Sequence, residues 1–187
     1  DFLRIADHAR AEWVNGKVVA MSPVSDRHQA IVELLLSLLT LLVQRDDLGW
    51  LRVAPFNMRL PQKPSGREPD LLFVRAARRH LVRPGFLDGA ADLVVEVTSP
   101  ESIGRDRGEK YVEYEAAGIE EYWLIDPERE RLELYRLGAD RKYVIVPPDG
   151  AGVLRSEVIT GFWLRVEWLW QEPLPKLVDA ARELHLI

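Results

Sequence analysis

The chain has 187 residues, 47% of them hydrophobic and 29% charged, a balance that suits one globular domain with a substantial core and excludes a disordered segment. It contains no cysteine, which excludes disulfides and cysteine-ligated zinc and accords with a reducing, cytoplasmic setting. The formal charge of −5 argues against a general nucleic-acid coat, though not against an enzyme that meets nucleic acid through a local basic patch.

In chain order, "AEWVNGKVVAMSP" (11–23) places an Asn-Gly turn between two short runs and predicts a hairpin. "SDRHQAIVELLLSLLTLLVQRDD" predicts a long helix with Ser25 or Asp26 at its N-cap. Its apolar run is broken by Glu33, Ser37 and Thr40 and is too short to span a bilayer. His28, Ile31, Leu35, Leu38 and Leu42 fall on one stripe of that helix, and Glu33, Ser37, Thr40 and Gln44 on another. The stripe makes His28 a core or capping histidine or a catalytic one, and Glu33 a solvated or ion-paired acid. "GWLRVAPFNMRL" (49–60) alternates like a single strand. A Pro/Gly/Ser loop, 61–69, then leads to a short apolar strand at 70–74.

"RAARRHLVRPG" is a basic helix or loop, and a strand at 92–98 follows it. A helix from about Arg105 to Ala117 is stopped by Gly118, and the segments at 120–127, 130–137 and 141–147 read as consecutive antiparallel strands. "GFWLRVEWLW" is strand or extended chain whose tryptophans suit a core or a dimer interface better than a base-stacking platform. "LPKLVDAARELHLI" closes the chain as a helix. No repeat or linker divides it, so a single α/β domain over 1–187 is expected, a mixed sheet flanked by helices with the hairpin and long helix at its amino-terminal end.

The strand at 92–98 carries the first chemical signal. Leu93, Val94, Val95 and Val97 predict burial on both faces, yet Glu96 lies among them. A buried carboxylate must be neutralised, paired or bound to a metal. Asp70 opens the strand at 70–74, directly after Pro69. If the two strands are neighbours, the carboxylates converge and repel each other unless a cation lies between them. Mg²⁺ takes one or two protein carboxylates and keeps several waters. In the helix at 105–117, Arg107, Lys110, Tyr111, Tyr114 and Ala117 share a stripe apart from Glu109 and Glu113, which brings Lys110 to or beside the packed face. Two plainer readings stand beside these: Asp70 as a turn cap, and Glu96 as the ion-pair partner of Arg107 or Lys110. Arg75, Arg78, Arg79, His80 and Arg83 form the densest basic cluster; with Arg105 and Arg107 they suit either phosphate contact or a solvated basic face.

"REPDLLFV", "DLVVEVTSP" and "GRDRGEKYVEYEAAGIEEYWLIDP", in this order, resemble the Uma2 family of the PD-(D/E)xK nuclease superfamily, and the resemblance runs from about Glu12 to Trp170. It implies a restriction-endonuclease-like core. It also implies metal-assisted hydrolysis of DNA phosphodiesters, with Mg²⁺ or Mn²⁺ held by Asp70 and Glu96. Thr98 stands where the superfamily's usual lysine would be, and Lys110 matches a lysine that has migrated to the next helix. His28 matches a position in the family's amino-terminal helix. Nucleases that cut both strands commonly act as dimers, so the resemblance implies a homodimer as well. A catalytically silent module that keeps the fold, binding nucleic acid or another protein, is the alternative.

Overall fold

The computed structural model describes residues 11–14, 17–20, 24–60 and 65–187, with side chains described from 24 to 60 and from 66 onward. The hairpin expected at 11–23 is present in its described part as β1 (Ala11–Val14) and β2 (Lys17–Ala20), paired antiparallel. Helix α1 (Asp26–Arg45) begins where Ser25 accepts a hydrogen bond from the His28 backbone N–H at 3.1 Å. His28, Ile31, Leu35, Leu38 and Leu42 are all buried, as their spacing requires.

The segment 49–60 departs from the single strand expected of it. It forms β3 (Gly49–Val53) and β4 (Asn57–Leu60), and the two belong to different sheets. Pro55 lies at the break; it has no N–H to give to a ladder, so alternation on both sides of it does not make one strand. The remaining strands of the two large sheets are β5 (Ser65–Arg67), β6 (Leu71–Arg75), β7 (Val82–Arg83), β8 (Phe86–Asp88), β9 (Leu93–Val97), β10 (Glu121–Asp126), β11 (Arg131–Leu137) and β12 (Tyr143–Val146). The central sheet runs β12-β11-β10-β9-β6-β3, and within it only β9 and β10 are parallel. The second sheet runs β2-β1-β5-β4-β8-β7.

Alternation along the central strands divides the core in two. Leu71, Phe73, Leu93, Val95, Val97, Trp123 and Ile125 face the leucines of α1. Leu72, Val74, Val94, Tyr122 and Leu124 face Met58 and Leu87 of the second sheet together with Tyr114. Tyr114 belongs to α2 (Tyr111–Ala117), which Gly118 ends in the left-handed conformation at φ 80°. "GFWLRVEWLW" is strand only at β14 (Trp163–Arg165), which pairs with β13 (Val153–Arg155) before turning into a 3₁₀ segment, Val166–Trp170. Trp168 is buried in the first core, and helix α3 (Leu177–Glu183) adds Ala180 and Ala181 to it. Among the described residues no helix is long and apolar enough to cross a membrane.

Candidate active site

β6 and β9 are antiparallel neighbours, with Leu71 opposite Val95 and Leu72 opposite Val94. One further step of this register sets Asp70 opposite Glu96, where β6 begins and β9 nears its end. Both residues are buried. Asp70 accepts the Val97 backbone N–H on Oδ2 at 2.8 Å, and its Oδ1 lies 3.1 Å from His28 Nε2. Its side chain therefore binds across the strand pair and to α1. A cavity of about 140 Å³ opens beside these two residues, lined also by Gln29, Val32, Val53, Ala54 and Pro55. His28 is buried, and its Nδ1 has no hydrogen-bond partner among the described residues.

Lys110 arrives from the opposite face of the sheet. The helix expected at 105–117 is composite: a turn at Ile103–Arg105, a π-helical segment at Asp106–Lys110, then α2. Lys110 is only 1% exposed. Its ammonium donates to Glu96 Oε1 at 2.8 Å and lies 3.2 Å from Asp106 Oδ1. Tyr114, one turn on, donates its hydroxyl to the same Glu96 oxygen at 2.7 Å. Tyr122 donates to the Asp106 backbone carbonyl at 3.1 Å; burial, then the negative charges of Glu96 and Asp106, push its phenol well above the usual tyrosine range. Of the two cations weighed as ion-pair partners of Glu96, Lys110 makes the bond. Arg107 turns away to Glu133, with Nε 3.1 Å from Oε2.

Two buried carboxylates on adjacent strands supply the oxygen ligands that Mg²⁺ or Mn²⁺ prefers, and the neighbouring ammonium offsets part of their mutual repulsion. Among the described residues, no group of three or more His, Asp or Glu side chains is placed to hold an ion. An ion held here would have Asp70 and Glu96 as its protein ligands, with water filling the other positions.

The basic cluster lies elsewhere. Arg75 is at the far end of β6 from Asp70, roughly 17 Å along the strand. Arg75 is bound to Asp92 and Glu120, and Arg78 to Asp92 at 2.9 Å. The Arg75 guanidinium holds the Glu120 carboxyl below its usual range against the opposing effect of burial. Arg79 stacks over Trp50 at 4.6 Å, Arg83 is exposed, and Arg105 is half-buried in the turn before Lys110.

Three further members of the neighbourhood escaped sequence reasoning. Asp106 shares Lys110, and Tyr114 shares Glu96, although Tyr114 reads as a packing residue. Arg67, 0% exposed, donates Nε to buried Glu113 at 2.7 Å, which ties β5 to α2. Helical periodicity puts Glu113 in a polar row; a buried arginine distant in sequence helps make its burial tolerable. The i, i+4 spacing of Asp106 and Lys110 was the one local signal available.

The overall fold is similar to that of a solved structure. A protein from Anabaena variabilis, described as a "putative nuclease belonging to DUF820", superposes with a TM-score of 0.71 at 18% identity, over 86% of this chain and 89% of that one. That likeness shows the nuclease-like fold. No curated protein matches the sequence. Residues 1–167 match the family described as "Uma2: Putative restriction endonuclease", which covers β6, β9 and the helix carrying Lys110, and the chain belongs to that family.

Proposed function

We propose that the chain is a metal-dependent endonuclease that hydrolyses phosphodiester bonds of DNA. The observation that carries this reading is the 2.8 Å contact between Lys110 and Glu96, made beside the carboxylate that strand register sets opposite. Asp70 and Glu96 are the residues that would hold Mg²⁺ or Mn²⁺. Such an ion, when bound, polarises the phosphoryl oxygen and lowers the pKa of an attacking water. Lys110, fixed by Glu96 and Asp106, presents positive charge where negative charge develops and orients the water. His28 holds Asp70 on the α1 side. Tyr114 keeps Glu96 in one rotamer, so the ligands are set before substrate arrives.

Phosphates along the strand are contacts for Arg105, Arg107, Arg79 and Arg83, with Arg75 and Arg78 shaping the surface beneath the last two. Two copies acting together would cut both strands of a duplex. The absence of cysteine supports a cytoplasmic setting.

Purified protein with Mg²⁺ or Mn²⁺ is expected to nick plasmid DNA. Asp70→Asn, Glu96→Gln and Lys110→Met are each expected to lower the rate at least a hundredfold while the far-ultraviolet circular dichroism stays unchanged. Equal nicking by all three variants would refute the assignment. A catalytically silent module is favoured by one observation, that both carboxylates already have hydrogen-bond donors. It predicts DNA binding unaffected by Mn²⁺ and no nicking by the wild type.

A further inference from the structure

Beyond the metal carboxylates, β9 and β10 end together at a second, larger cavity of about 460 Å³ that none of the roles above uses. Its volume falls within the range of small-ligand sites, and it lies outside the carboxyl ends of two parallel strands, a common place for ligands in α/β proteins. Thr98 forms part of its wall. The Thr98 backbone N–H donates to Ile125 at 2.7 Å, so the ladder with β10 continues past the last residue of β9. Two residues along extended chain separate Thr98 from Glu96, about 7 Å. The cavity therefore adjoins the carboxylate site.

We propose that this cavity receives one nucleobase of the substrate strand, next to the phosphodiester that is cut, and that it favours bases bearing an exocyclic amino group. The inference rests on the endonuclease reading and adds a specificity pocket to it. Three observations carry it. Thr98, only 5% exposed, forms the inner wall of the cavity where β9 ends. Arg27, another wall, is held by the backbone carbonyls of Leu169 at 2.6 Å and Gln171 at 2.7 Å. A guanidinium fixed in this way offers a flat face on which a base can stack. Glu101 and Glu128 line the opening as exposed carboxylates, and Pro100 and Pro127 supply apolar surface between them.

The charges select among the parts of a nucleotide. Two carboxylates against one guanidinium already bound to carbonyls repel a phosphate. They accept hydrogen bonds from the amino groups of cytosine and adenine, and thymine has no such group. The scissile phosphate thus stays with Lys110 while its neighbouring base enters this cavity.

The test is fluorescence anisotropy of the full chain with short single-stranded oligonucleotides of cytosine, adenine or thymine alone, in Ca²⁺ to hold off hydrolysis, beside a plasmid-nicking assay in Mn²⁺. Wild-type protein is expected to bind the cytosine and adenine strands about tenfold more tightly than the thymine strand. Thr98→Trp, which fills the cavity, and the double variant E101A/E128A, which alters only exposed side chains, are each expected to bring the three affinities together. Wild-type protein that nicks plasmid but binds all three strands equally would overturn the pocket alone. A preference that survives in both variants would do the same. Wild-type protein that binds no strand and nicks nothing would overturn the pocket and the endonuclease reading together.

Discussion

Glu96 shows how much a single buried carboxylate constrains. It has an ammonium and a phenol on one oxygen, so removing either donor leaves a partly satisfied charge in a dry place. Tyr114→Phe is expected to lower unfolding free energy by about 1–3 kcal/mol, read by urea denaturation. Lys110→Ala takes the ammonium from two buried carboxylates, Glu96 and Asp106, and is expected to lower it by about 3–5 kcal/mol. The double variant with Glu96→Gln should recover part of that loss, because the second change removes one buried charge that has lost its counter-ion. Glu96 and Asp70 were legible in the sequence because an acid in an apolar run and an acid after Pro69 are local anomalies. Tyr114 was not, because a tyrosine on a packed helix stripe looks the same whether its hydroxyl meets a carboxylate or a backbone carbonyl.

Among elements, the composite helix and β5 are joined by the Arg67–Glu113 pair, which no pattern within either segment foretells. Arg67→Met leaves Glu113 buried without its guanidinium. It is expected to lower stability by about 3–5 kcal/mol, and Arg67→Met with Glu113→Leu by much less, in the same denaturation assay. β3 has its own constraint. Gly49 has φ 157°, and a Cβ there would lie 2.1 Å from the Val74 carbonyl oxygen, so Gly49→Ala is expected to force β3 away from β6 and lower the melting temperature. The strands from 92 to 146 and α1 were readable from alternation and helical period. The division of 49–60 between two sheets was not, because alternation reports which face is buried and says nothing of the strand that will pair. The π-helical segment was equally invisible, since one extra residue in a turn leaves the apolar stripe nearly unchanged.

For the whole molecule, the two-sided sheet buries tyrosines as well as aliphatic residues, and this sets how stability depends on pH. Burial, ahead of the nearby acids, raises Tyr122 and Tyr143 above the ordinary tyrosine value. The unfolded chain ionises these phenols at about pH 10 and the folded one resists, so in that window the folded state binds more protons and stability falls as pH rises. Their contribution is intact below about pH 10 and is lost through the folded-state values above it, by about 1.4 kcal/mol per pH unit for each phenol. Thermal denaturation followed from neutral to alkaline pH should show this decline, and Tyr143→Phe should make it shallower. The α/β character of the fold follows from composition and element order; the pairing of its two sheets depends on contacts distant in sequence.

Placing the lysine on a helix rather than on β9 has a consequence for heat inactivation. A lysine at position 98 would leave the centre only when the sheet itself came apart. Lys110 departs whenever its π-helical turn opens, and such turns unravel locally before the strands beneath them do. On the proposed role of Lys110 in nicking, activity should therefore fade on warming while the near-ultraviolet signal of buried Trp123 is still native, leaving a band of temperatures where the protein is folded and idle.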